Sequence, residues 1–154
     1  MGLIKLLEKA YSKLDENLPQ IMDILNSVND YFEKQYEEME KKIDSKIETY
    51  QELPLKVLKN ELTRLNNSNC PSGTIKKAAI TKIIKERNDR INYFVRKYSE
   101  LSSSTLKLER TNVINGRANF YTEPFGCQEI TKVEAEIRII AIDKLLSERK
   151  NGEY

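Results

Sequence analysis

Side chains suited to binding a partner are concentrated in and beside one stretch, NVINGRANFYTEPFGCQE, at residues 112–129. Arginine and tyrosine are favoured anchors of protein interfaces, because they combine apolar contact area with hydrogen-bonding groups. If the stretch forms a β-hairpin, its polar side chains converge on one exposed face. The predicted partner-binding residues are Arg110, Arg117, Asn119, Tyr121 and Glu123. The alternative, favoured for each residue taken singly, is ordinary turn chemistry with the aromatic residues as core of a small sheet.

The sequence offers little for catalysis, because it contains no histidine. Ser-His-Asp and Cys-His nucleophilic sites, histidine proton shuttles and histidine-ligated metal sites are therefore excluded within this chain. The two cysteines, Cys70 and Cys127, are too few for a tetrahedral zinc site, and there is no glycine-rich phosphate loop and no EF-hand pattern. We expect a protein that is not an enzyme, with no cofactor, no metal and no small-molecule substrate.

Charge is distributed unevenly, although the net formal charge is only +2. Residues 1–55 carry 7 Lys and 12 Asp or Glu, whereas residues 56–110 carry 13 Lys or Arg and 5 Asp or Glu. A basic helix is predicted at about 74–101, and clustered cations are typical of a nucleic-acid-binding surface. The candidate nucleic-acid contacts are Lys82, Lys85, Arg90, Arg96 and Lys97. Pairing with the acidic segment, or simple solvation, explains the same charges without a nucleic acid.

Apolar residues recur at helical spacing through the first third of the chain. Residues 3–15 predict a short amphipathic helix, and Pro19 is expected in the first turn of a second helix. Apolar residues continue at helical spacing from Ile21 to Tyr50, and from Leu25 on they follow an eleven-residue repeat. Eleven residues in three turns is close to the ideal ~3.6 residues per turn, so we predict one long, straight helix at about 20–52. Its single stripe needs a partner, either a later helix of the chain or a second copy.

A β-hairpin is predicted after residue 104. Asn115-Gly116 is a strong hairpin signal, because a type I′ turn requires positive φ at both of its central positions. With that turn, Ile114 would face Arg117 across the two strands.

The segment at 132–140 supports two interpretations. Its apolar and polar residues alternate, which favours a third strand, followed by a short helix at about 142–149. The same segment contains a capping-box pattern, Thr131 with Glu134, and charge pairs at the i, i+4 spacing of a helix. We predict the strand and keep the helix as the alternative.

These patterns predict an α+β fold that is predominantly α: a long antiparallel helical hairpin or bundle with a small C-terminal β-hairpin or three-stranded sheet. Residues 1–104 would form the helical bundle, and residues 105–154 a small β-containing region packed on it. The predicted function is non-enzymatic protein–protein interaction, as an adaptor or inhibitor of the kind common in phages and mobile elements, or as a homo-oligomer. Nucleic-acid binding through the basic helix is the alternative. No apolar run approaches the ~20 residues of a membrane span, so we expect a cytoplasmic protein with no membrane partner.

Overall fold

A computed structural model describes residues 2–68, 73–119 and 128–152, with the side chains of residues 14 and 128 also left undescribed. Its helices are α1 (Gly2–Tyr50), α2 (Leu55–Asn66), α3 (Gly73–Tyr98), α4 (Ser103–Ile114) and α5 (Lys132–Asn151). Strand pairing within these ranges is confined to β1 (Arg117–Ala118) and β2 (Gln128–Glu129), which are antiparallel. The described chain is predominantly helical and bundle-like. None of its helices combines the length and the apolar character that crossing a bilayer requires.

The predicted α+β class is wrong, because the chain forms a helix end where a hairpin was expected. Asn115 and Gly116 terminate α4 and do not join two strands of a hairpin. Gly116 has a φ of 77°, and its N–H donates to the carbonyl oxygen of Val113 at 3.0 Å. Asn-Gly favours positive φ, and a helix C-terminus uses that preference as readily as a type I′ turn does. With Ile114 in α4, the predicted pairing of Ile114 with Arg117 is also wrong.

The strand predicted at 132–140 is wrong as well, and the helical alternative is correct. α5 has Thr131 as its N-cap, and the Thr131 hydroxyl accepts a hydrogen bond from the Glu134 N–H at 3.2 Å. The helix predicted at about 142–149 is the second half of α5. The alternation of apolar and polar residues favours a strand with one buried face. α5 is instead a helix with a broad buried face, which consists of Ile137, Arg138, Ala141, Ile142 and Leu145.

α1 is one continuous helix, so the break predicted at Pro19 is absent. Proline lacks an N–H, which removes the hydrogen bond to the carbonyl of Asp15. Both residues are exposed, so water can satisfy that carbonyl, which lowers the cost of a proline inside the helix. The chain divides into two units, Met1–Lys42 and Ile43–Tyr154. In the first, every described side chain is exposed.

The core belongs to the unit Ile43–Tyr154 and consists of two clusters. The larger joins α3, α4 and α5 to the start of α2 through Leu55, Ile91, Phe94, Tyr98, Leu106, Ile137, Ala141, Ile142 and Leu145. The smaller joins α2 to α3 through Leu58, Leu65, Ile80 and Ile83, with Ile47 and Tyr50 packed against it. α3 contributes to both clusters, and its main partners are α5 and α2. The sequence predicts a different partner for this helix, namely the long helix at about 20–52. The division into residues 1–104 and 105–154 stays a prediction.

Two glycines at helix ends allow a matched test of the α4 terminus. Gly116 has positive φ, whereas Gly152 ends α5 with a φ of −92°. Gly116→Ala should lower the free energy of unfolding by about 1 kcal/mol, because a Cβ is disfavoured in the left-handed region. Gly152→Ala should leave it nearly unchanged. Urea unfolding monitored by circular dichroism measures both, and equal losses would show that α4 does not end in a left-handed glycine.

Candidate interaction surface

Most of the large hydrophobic side chains that are exposed in the described chain belong to α1. The exposed fractions include 56% for Leu25 and 65% for Phe32. Single exposed apolar residues are ordinary on protein surfaces, but a contiguous apolar patch marks an interaction site. The spacing of these residues therefore decides whether α1 carries such a patch.

Because α1 is continuous through Pro19, the residues before and after it share one helical register. In that register apolar residues alternate at spacings of three and four, as the a and d positions of a coiled-coil heptad do. These positions, called here the α1 face, are Ile4, Leu7, Tyr11, Leu14, Leu18, Ile21, Leu25, Val28 and Phe32. Pro19 lies on the opposite side. The predicted break at Pro19 had hidden this pattern, and the eleven-residue repeat describes only the residues C-terminal to that proline.

The α1 face is wider than a strict a/d seam. Ile24 and Tyr31 lie beside it at the g position and are 63% and 60% exposed. Charged residues occupy the far side of the helix, among them Glu16, Asp23 and Asp30. α1 therefore presents a broad apolar surface to one side and carboxylates to the other.

Of the five predicted partner-binding residues, the structure describes Arg110, Arg117 and Asn119. Arg110 lies in α4, and its guanidinium contacts the Asp143 carboxylate at 2.6 and 3.1 Å, which raises the pKa of Arg110. Arg117 is exposed in β1, and Asn119 is exposed just after it. The remaining two, Tyr121 and Glu123, lie outside the described residues. Partner binding through this set stays a prediction.

Among the predicted nucleic-acid contacts, Lys82 and Arg90 form ion pairs within the chain. Lys82 lies 3.8 Å from the Asp44 carboxylate. Arg90 donates to both carboxylate oxygens of Glu134 at 2.9 Å. The other three candidates are exposed on the same helix: Lys85, Arg96 and Lys97. Nucleic-acid binding by this helix stays a prediction.

A buried guanidinium joins α2, α3 and α5. Arg87 of α3 is only 4% exposed and donates to the carbonyl oxygens of Gln51 and Leu53. It also contacts the Glu136 carboxylate of α5 at 3.3 Å. Glu136 in turn accepts from the N–H of Leu55 at 2.9 Å, so a carboxylate of α5 caps the N-terminus of α2. Burial lowers the pKa of Arg87, and the nearby carboxylate of Glu136 opposes that shift.

A second buried chain of polar groups joins α3, α4 and α5. Arg138 donates to the Tyr98 hydroxyl at 2.9 Å, and that hydroxyl donates to Glu109 at 3.4 Å. Glu109 is fully buried and also accepts from the N–H of Asn119 at 3.1 Å. The Arg138 guanidinium lies 4.2 Å from the centre of the Phe94 ring. Together the two networks position the helices of this unit around its core.

The polar groups of the two networks pair with one another. In the part of the chain that is described, no buried side-chain polar atom lacks a hydrogen-bond partner, and no cluster of acidic or cysteine residues is arranged to hold a metal ion. A cleft of about 230 Å³ beside Arg87 is lined partly by Arg90 and Glu134, which are paired with each other. The absence of enzymatic activity, cofactor and metal stays a prediction.

The importance of the Arg87–Glu136 pair is testable with a matched exposed pair. Glu136→Gln should lower the free energy of unfolding by about 2 kcal/mol, because it leaves a buried guanidinium without its counter-charge. Glu61→Gln alters a carboxylate that pairs with Arg64 at the surface, and it should have little effect. Urea unfolding of both variants measures the difference. Similar losses of unfolding free energy in the two variants would show that the buried Arg87–Glu136 pair stabilises the fold no more than a surface pair does.

Alkaline stability tests the second network. Burial is the main cause that raises the pKa of Tyr98 from 10.0 to about 12. The free energy that the protonated Tyr98 contributes to folding is therefore complete below pH 10. It is lost as the pH rises from 10 to 12, because Tyr98 releases its proton at a lower pH in the unfolded chain than in the folded one. Urea unfolding across this range should show a shallower decline in Tyr98→Phe than in the wild type. The exposed-tyrosine variant Tyr93→Phe should retain the wild-type slope, and an unchanged slope in Tyr98→Phe would contradict the assignment.

The chain was compared with protein families, curated proteins and solved structures, and none of them matches it. Function is accordingly inferred from the residues of this chain and their geometry.

Proposed function

We propose that this chain is a non-enzymatic protein–protein interaction protein, an adaptor or an inhibitor, and that it binds its partner through the α1 face. The observation that carries the proposal is the exposure of this face. Its eight described side chains are between 41% and 69% exposed, although they follow the register of a helix–helix interface. The cytoplasmic location stays a prediction.

The energetics favour a partner that covers the whole α1 face. Covering a half-exposed side chain of this size contributes about 1 kcal/mol. Eight such residues, together with a similar set on the partner, total on the order of 15 kcal/mol. Association costs about 4–15 kcal/mol in lost freedom, so a contact over one or two turns would not form a stable complex. A second long helix provides the required length of contact.

The charge of α1 favours a protein partner over a membrane surface. Amphipathic helices that lie on membranes carry Lys and Arg on the polar side, which anionic headgroups attract. Residues 2–42 instead carry 6 Lys and 9 Asp or Glu, and residues 15–33 have acidic side chains but no basic one. An anionic bilayer would repel residues 15–33, whereas the apolar side of another helix would not.

Affinity capture from the native host tests the proposal. Two charges placed on the α1 face, Leu25→Glu with Phe32→Glu, should deplete the captured partners several-fold, because a carboxylate is costly to bury in an apolar interface. Additional copies of the chain itself count among the partners.

The matched control places the same two charges on the other side of α1, through Ser12→Glu with Asn26→Glu. It should capture the same proteins as the wild type. Circular dichroism verifies that both variants remain helical. If quantitative mass spectrometry shows that the face variant and the control retain the same proteins, the α1 face is not the interaction surface.

A further inference from the structure

We propose that the partner of the α1 face is a second copy of this chain, with residues 7–32 of the two copies paired antiparallel about a two-fold axis. The proposal rests on the function proposed above and specifies the partner at that same surface. Three features support it: the apolar layers that the α1 faces of two copies would form, the charges along the helix, and the residues that flank these layers.

The register of the α1 face is complementary to itself. In an antiparallel pair an a position of one helix faces a d position of the other. A two-fold axis between Pro19 and Gln20 fills the layers from residue 7 to residue 32 with apolar residues on both sides, and Ile4 faces Gln35 beyond them. Described residues form these layers: Leu18 with Ile21, Tyr11 with Val28, and Leu7 with Phe32. Each aromatic residue thereby faces an aliphatic one, which balances the volume of the layers.

The charges along α1 favour the antiparallel orientation. With the axis at this position, residues 2–14 of one copy run beside residues 25–37 of the other. The first segment carries three Lys and one Glu, and the second carries three acidic residues and one Lys. A parallel pair would place each segment beside its own copy and set like charges together. Salt screens these exposed charges, so they select the orientation and add little to the affinity.

The flanking residues select the position of the axis. Moving it to Glu16 would preserve apolar layers, but it would place the Asp15 carboxylates of the two copies next to each other at the edge of the interface. With the axis between Pro19 and Gln20, Asp15 lies beside Met22 and Glu8 lies beside Asn29. No like charges then meet at that edge, which favours this register.

Analytical ultracentrifugation of the purified full chain measures the association. We expect a dimer, with twice the 18.0 kDa mass of one chain. Leu25→Glu with Phe32→Glu should give a monomer, whereas Ser12→Glu with Asn26→Glu should remain dimeric. A wild-type chain that stays monomeric up to about 100 μM, where a micromolar complex is nearly saturated, would overturn the proposal.

Cysteine cross-linking determines the orientation, in a background of Cys70→Ser with Cys127→Ser. Leu7→Cys and Phe32→Cys face each other in the proposed pair, so a mixture of a tagged and an untagged variant should form a mixed disulfide. Each variant alone should cross-link poorly, because its two copies of the same cysteine would lie about 37 Å apart along the helix axis. Efficient cross-linking of each variant with itself would indicate a parallel pair and contradict the proposal.

The two proposals fail in different ways. A monomeric chain whose captured partners still depend on the α1 face removes the self-pairing and leaves the proposed function standing. A chain that dimerises equally well with charges on the α1 face has its dimer interface elsewhere, which removes the self-pairing. The proposed function is removed as well only if the captured partners are the same for the face variant and the control.

Discussion

The buried Arg87 guanidinium is the interaction on which the helices of the unit Ile43–Tyr154 depend. It bonds to carbonyl oxygens of the segment before α2 and pairs with Glu136, which caps α2 through Leu55. Removing a charge from water is costly, and this cost is offset only when every donor finds a fixed acceptor. The Arg87 contacts therefore require α3 and α5 to hold one position relative to the start of α2, and the apolar clusters pack around them.

The two units of the chain differ in how far their apolar side chains are buried. Among the described residues of the unit Ile43–Tyr154, buried polar side chains are matched within the chain, and two clusters of apolar side chains are buried between the helices. In the unit Met1–Lys42, charged groups lie in water and the apolar α1 face is exposed. Burial of an exposed apolar surface is where a partner contributes most free energy. This contrast places the proposed function on α1 and away from the buried networks.

Apolar periodicity predicted a predominantly helical chain, and the structure confirms it. The sheet was predicted from two signals that are ambiguous in themselves. Asn-Gly favours positive φ, which ends a helix at Gly116 as well as it turns a hairpin. Alternation at 132–140 also suits a helix that is buried on a broad side, as at Ile137 and Arg138. Local capping by Thr131 indicated the helix, but only packing against α3 and α4 shows that both Ile137 and Arg138 are enclosed.

The sequence by itself determined the residues of the α1 face, their heptad spacing and the acidic charge of the helix, because all three depend on the order of residues alone. It did not determine whether Pro19 divides the pattern, since a proline disfavours a helix through its ring and its missing N–H, but a helix can still continue through it where water reaches the freed carbonyl. It also did not predict the pairing of Arg87 with Glu136, which lie in different helices. The tertiary structure decided both, because the solvation of a carbonyl and the burial of a charge depend on what surrounds them in space.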